Sequence, residues 1–174
     1  MPCPSVPYRP TFAEIRRSAL VVGPPDARVW PRAWRLELLC RFEERTRQLW
    51  QLDYVREVVI AGSFVEDVPE PRDIDGWFVV PASRCQLLRG EPWPLQRDLN
   101  RLDPRGLWSW LRQEKDGLSK LPMWHALRVE LYFDAPGVVV ARDPLGRDLR
   151  PSAFFAKTRA GRPKGVVRVT RDPN

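Results

Sequence analysis

Histidine is almost absent: His125 is the only one in 174 residues. That argues against a Ser-His-Asp hydrolase and against a histidine-based metal centre. Cysteine is scarce as well. Cys3, Cys40 and Cys85 are odd in number, widely separated, and form no C-x-x-C pair, so neither a disulfide framework nor a zinc ribbon is implied. They read as buried or free thiols of a reducing compartment. No apolar run approaches the ~20 residues of a membrane span, and "MPCPSVPYRP" lacks the apolar core of a signal peptide. The expectation is a soluble, cytoplasmic protein with no membrane partner. Walker-type glycine loops and G-x-G-x-x-G are both missing. Lysine is limited to Lys115, Lys120, Lys157 and Lys164, yet the net charge is +7, so arginine dominates. This balance fits a phosphate-rich partner such as a nucleotide, tRNA or DNA. It fits an arginine-rich solvated surface equally well, because the charge forms no single block.

What is present suits one domain with a helical extension. Residues 1–30 read as an arm and a short helix, and residues 31–174 as the main domain. Pro2, Pro4, Pro7 and Pro10 keep the first ten residues extended. Thr11 and Glu14 have capping-box spacing for a helix to about Leu20, which "GPPD" ends. Trp34, Leu38, Leu39, Phe42, Leu49 and Leu52 predict the longest helix, about Pro31 to Leu52. Val55–Ala61 and Ile74–Val80 read as strands of an antiparallel hairpin with a long connection. Two helices are expected next, Leu95–Leu102 and Pro104–Asp116, the second stopped by Gly117. "ALRVELYF", Ala126 to Phe133, alternates as a strand does. A possible short strand at Val138–Ala141, one helical turn in "SAFFAKT" and a last strand at Val166–Val169 complete the reading.

The chemistry lies in "VVIAGSFVEDVPEPRDIDGWFVV", Val58 to Val80. Residues i and i+2 of a strand face the same side with Cβ atoms ~7 Å apart. Asp73 and Asp75 therefore project together, while Ile74 points into the core. Two carboxylates so close repel unless a cation lies between them. Mg²⁺ takes carboxylate and phosphate oxygens in octahedral geometry, so the pair reads as a divalent-metal site. Glu130, at the centre of "ALRVELYFD", is the candidate third carboxylate, sharing its face with Arg128 and Tyr132. Asp134, at the strand end, ranks second. Gly62 and Ser63 follow a buried strand, where glycine lets the backbone approach a phosphate and the next N–H groups and the hydroxyl donate to it. The opposing reading of "PEPRDIDG" is a polar turn, with Asp73 bonding backbone and Asp75 facing water.

In order, the chain shows an apolar strand, Gly-Ser, a spacer, Asp-Ile-Asp, an apolar strand and a later strand glutamate. This arrangement resembles the signature of the DNA polymerase beta-type nucleotidyltransferase superfamily. More narrowly, "GSFVEDVPEPRDIDG" with "TRAGRPKGVVRV" resembles small bacterial and phage nucleotidyltransferase-like proteins of unassigned function. The resemblance implies an α+β fold, a small mixed sheet with flanking helices and the site on one face. It implies that Gly62 and Ser63 hold the nucleotide phosphates. Asp73, Asp75 and Glu130 would bind Mg²⁺ or Mn²⁺, with Glu130 helping to deprotonate the attacking hydroxyl. Lys164 would meet the triphosphate or the acceptor. The implied reaction moves a nucleoside monophosphate from an NTP to an RNA or protein hydroxyl, in the setting of toxin–antitoxin or phage-defence systems. The alternative is a catalytically inactive module of the same type that binds a protein partner or RNA. The superfamily's short helix after Gly-Ser is shortened or abolished here by Pro69 and Pro71.

Other residues have plainer readings. His125 packs or lies at the surface. Trp93, Trp108, Trp110 and Trp124 are core by default, with stacking on a base as the alternative. Trp77 shares the face of Asp73 and Asp75 and is a candidate base contact. Lys157, Arg159, Arg162 and Lys164 form the densest basic segment, either a solvated loop or a phosphate contact.

Overall fold

The structure is a computed structural model that describes residues 9–27, 29–85, 94–142, 146–156 and 165–171. In chain order the helices α1 (Phe12–Arg17), α2 (Ala19–Val22) and α3 (Arg32–Leu49) precede strand β1 (Val58–Ala61). A 3₁₀ turn, Gly62–Val65, leads towards β2 (Ile74–Val79). Then come α4 (Pro94–Leu102), the strands β3 (Gln113–Lys115) and β4 (Leu118–Lys120), α5 (Pro122–Leu127) and β5 (Val129–Asp134). The two-residue strands β6 (Ala141–Arg142) and β7 (Asp148–Leu149), α6 (Pro151–Phe155) and β8 (Val167–Val169) end the series. The fold is α+β with a small mixed sheet.

The main sheet has the order β5-β2-β1-β8. β1 and β2 pair antiparallel, with Val58 opposite Phe78 and Ala61 opposite Asp75. β8 joins the far edge of β1 antiparallel, while β5 runs parallel to β2. A parallel neighbour needs a long crossover, and α4, the β3–β4 hairpin and α5 supply it.

Strand alternation divides the sheet into two faces. Val58, Ile60, Ile74, Phe78, Leu131 and Phe133 point to one side, where Leu38, Leu39, Phe42 and Leu49 of α3 close the main core. Gly76 is needed there, since a Cβ would run into the Val59 carbonyl and the Phe42 ring. Phe12, Ile15 and Val21 belong to this same core. The capping box is present in full, with Glu14 N–H donating to Thr11 and Thr11 N–H donating to Glu14 Oε2 at 2.7 Å. The second face holds Val59, Ala61, Trp77 and Phe155, with Tyr132 beside them. Helices cover the first face, as the sequence predicts, and α6 also lies on part of the second.

A buried ion pair ties α3 to the end of α4. Arg45 Nη1 donates to Asp103 Oδ2 at 2.7 Å, and both side chains are at most 2% exposed. Hydrogen bonds from Arg105, then from Arg45, pull the Asp103 carboxyl down to about 2, against the opposing effect of burial. A folded value below the unfolded one stabilises above pH 4 and is lost as pH falls towards 2. The stability difference between the wild type and Asp103→Asn is therefore expected to be full at pH 7 and to shrink below pH 4. Urea midpoints measured from pH 7 to pH 2.5 check this; a difference independent of pH would exclude Asp103 as the titrating group.

Two sequence expectations are corrected. Residues 104–116 form turns and strand β3, not a helix. Asp116 and Gly117 both have positive φ, 52° and 72°, which is the signature of a two-residue hairpin turn. Gly117 thus joins β3 to β4 instead of stopping a helix. The strand expected over Ala126–Phe133 starts only at Val129, because Ala126 and Leu127 belong to α5. Arg128 caps that helix in the left-handed region at φ 58°. Consequently Arg128 does not share the strand face of Glu130.

Candidate functional site

Three strand ends line up to build the site. Ala61 of β1 stands opposite Asp75 of β2, which stands beside Glu130 of β5. By alternation Asp75 and Glu130 rise from the second face, away from α3. Asp73 lies one residue before β2. Its backbone is fixed by the next residue, whose N–H donates to the Arg128 carbonyl at 3.0 Å. The pairing of β2 with β5 thus gathers residues 55 positions apart in the chain.

The turn after β1 approaches this row closely. Gly62 has φ 73°, and the space a Cβ would fill is taken by the Asp75 carboxylate. A side chain here would be strained and would collide as well. The N–H of Glu66 closes the turn on the Ser63 carbonyl at 3.3 Å. No longer helix follows Gly-Ser, as Pro69 and Pro71 lead one to expect.

Arg35 of α3 holds this turn from below, a role the sequence did not reveal. It is fully buried. Its guanidinium donates to the carbonyls of Val68 at 2.7 Å and Pro69 at 3.3 Å, and also to those of Leu20 and Phe64. The rings of Trp30 and Phe64 flank it, with centroids 4.5 and 4.8 Å from Cζ. Burial lowers the Arg35 pKa to about 10, which leaves it charged at neutral pH.

The carboxylates have distinct partners. Asp73 Oδ2 accepts a hydrogen bond from Trp124 Nε1 at 2.7 Å. Lys120, at the end of β4, places Nζ 2.9 Å from Glu130 Oε2 and 3.9 Å from Asp73 Oδ2. Glu130 is only 3% exposed, and its other oxygen, Oε1, is buried without a hydrogen-bond partner. Tyr132, two residues along the same face, has its hydroxyl pKa raised by burial first and by the negative charge of Glu130 next. Asp134 is two residues further on and bound to Arg150 Nε at 2.9 Å. It belongs to a structural pair outside the row.

The remaining sequence candidates separate clearly. Trp77 is buried and stacks on Phe155 with centroids 6.0 Å apart and planes 11° apart. Phe155 thus covers the Trp77 ring, and both belong to the buried cluster of the second face. Trp108 lies in the main core, and Trp110 packs on Phe133. His125 Nε2 meets the Gln113 carbonyl at 2.9 Å and fastens α5 to β3. Lys164 lies outside the described residues, as do Trp93, Lys157, Arg159 and Arg162.

A family model described as "Family of unknown function (DUF6932)" matches residues 2–170. The chain belongs to the DUF6932 family. No curated protein and no solved structure matches it.

In this DUF6932 chain the donor chemistry suits a hard divalent ion, since carboxylate oxygens dominate the row and one buried oxygen lacks a partner. The grouping suits it less completely. Among the described residues, no three His, Cys, Asp or Glu side chains are gathered closely enough to hold a metal ion. The ammonium of Lys120 lies between Glu130 and Asp73 instead. No helix among the described residues is long and apolar enough to cross a membrane.

Proposed function

We propose that the protein is a metal-dependent nucleotidyltransferase, moving a nucleoside monophosphate from an NTP to an acceptor hydroxyl and releasing pyrophosphate. The observation that supports this most is the pairing of Asp75 with Glu130 across β2 and β5, with the Gly62 turn against the Asp75 carboxylate. It joins a phosphate-approaching turn to an acidic row, as the sequence motif requires.

Asp73 and Asp75 would hold Mg²⁺ or Mn²⁺, with Glu130 beside them. A bound divalent ion would neutralise phosphate charge and align the α-phosphorus for in-line displacement. Backbone N–H groups of the turn and the Ser63 hydroxyl would cradle the outer phosphates. The acceptor oxygen bonds to the α-phosphorus while the bond to the bridging oxygen of pyrophosphate breaks. Glu130 would take the acceptor proton, while Lys120 donates to its Oε2 and orients the carboxylate. Lys164 would reach the triphosphate or the acceptor. The acceptor is an RNA or a protein side chain, and a toxin–antitoxin or phage-defence setting fits a small enzyme of this kind.

The second reading is a catalytically silent module of the same type, and one observation favours it. Lys120 neutralises part of the row without any metal. Incubation with Mg²⁺, each α-³²P-labelled NTP and either total tRNA or cell lysate separates the two. Label on an RNA or protein band, lost in Asp73→Ala/Asp75→Ala, is expected. Nucleotide binding without transfer under every acceptor condition would favour the silent module. Neither binding nor transfer would overturn the nucleotide reading itself.

A further inference from the structure

We propose that Lys120 is a resident cation of the acidic row, filling a position at Glu130 that a second divalent ion would otherwise take. The inference rests on the reading of the row as a metal site and goes further, to the number of ions it holds.

Three elements converge on the Lys120 ammonium. Glu130 Oε2 of β5 is 2.9 Å away, Asp73 Oδ2 is 3.9 Å away, and the Trp124 ring centroid of α5 is 5.1 Å away. Each presents negative charge or a negative π-face. Glu130 needs such a partner, because a carboxylate charge only 3% exposed is costly to leave unpaired. The delivery is also specific. The β3–β4 hairpin is exposed at every position except its last, and that last residue is the half-buried Lys120. An amine tethered to a hairpin thus stands where an ion would have to be drawn from solution. The absence of a three-carboxylate grouping among the described residues accords with this, since Glu130 closes on the lysine.

It follows that the wild type has room for one divalent ion, at the Asp73–Asp75 end. Removing the ammonium leaves a buried carboxylate in want of a cation. Lys120→Met is expected to melt about 6 °C or more below the wild type in EDTA. Millimolar Mn²⁺ is expected to restore most of that loss, and electron paramagnetic resonance should count one more bound Mn²⁺ than in the wild type. Lys120→Met/Glu130→Gln removes both charges and is expected to melt near the wild type with no added ion.

A Lys120→Met protein as stable as the wild type in EDTA would overturn the proposal. So would one that gains no more from Mn²⁺ than the wild type does, or a wild type that already binds two ions. If Lys120→Met does not fold, the double variant decides. A double variant that also fails to fold makes Lys120 a packing residue and ends the inference. The transfer reading fails on other evidence, namely absence of labelled product or Mn²⁺ binding unaffected by Asp75→Asn, and neither measurement involves Lys120.

Discussion

Replacing Arg35 with methionine is expected to cost about 3–5 kcal/mol of stability, read as a lowered urea midpoint, and to loosen the turn after β1. Arg35 is fully buried, and its guanidinium satisfies carbonyls from two separate stretches, Leu20 on one side and Phe64, Val68 and Pro69 on the other. Methionine matches much of its volume, so little of the effect arises from a cavity. The loss comes from several carbonyls deprived of donors at once. Charged hydrogen bonds contribute ~1.5–3 kcal/mol each, and partial hydration returns some of that. Lysine should rescue poorly, because its ammonium cannot present the planar fork that reaches carbonyls in different directions. Limited proteolysis within residues 62–72 should accelerate in Arg35→Met at temperatures where the rest of the chain stays folded. A stability change under ~1 kcal/mol would mean that water replaces the guanidinium and that the turn holds its own shape.

Why Arg35 went unseen in the sequence shows what a linear reading can reach. On the helical repeat of α3, Arg35 is one arginine among several, and the apolar stripe around it suffices to locate the helix. Its partners lie 15 to 34 positions away and are backbone atoms, which leave no residue-type signal. The β1–β2 hairpin was legible for the opposite reason. A buried run, a Gly-Ser step and a second run with acidic residues at its start are local, and the register follows from alternation. The row of Asp75 and Glu130 was legible from parity, but their adjacency required the parallel pairing of β5. Lys120 and Trp124 reach the row from β4 and α5, in a stretch of the sequence between Gly117 and Ala126 that carries no element in the sequence reading. Pro104 as a first-turn residue and Gly117 as a stop suit a helix, and they outweighed the Asp-Gly dipeptide at 116–117, although that pair is a strong hairpin signal. Leu111, in the irregular segment before β3, is 79% exposed. Ala126 and Leu127 fitted strand alternation by chance, and only the left-handed Arg128 marks where the helix yields to β5.

Asp75→Asn is expected to lower nucleotide transfer by ~10³-fold or more, about 4 kcal/mol of transition-state stabilisation, with little change in melting temperature. The amide keeps the shape of the carboxylate, and Asp75 is only half-buried, so folding should tolerate it. What changes is charge. A hard divalent ion binds a neutral amide oxygen far less well than a carboxylate, and Asp75 is the member of the row nearest the Gly62 turn. Asp134→Asn is the matched control on the neighbouring strand. Asp134 is nearly as buried as Glu130, but it is paired with Arg150 and stands outside the row. That substitution should reduce stability while leaving the transfer rate per folded molecule within about twofold. If Asp75→Asn and Asp134→Asn were to reduce transfer equally, the effect would reflect general electrostatics of the face. If Asp75→Asn alone removed it, the chemistry would be located where the end of β1 meets the starts of β2 and β5. A Glu130→Gln variant then resolves the division of labour within the row. Loss of rate with nucleotide affinity intact would identify Glu130 as the proton acceptor, whereas parallel loss of both would make it a ligand of the ion.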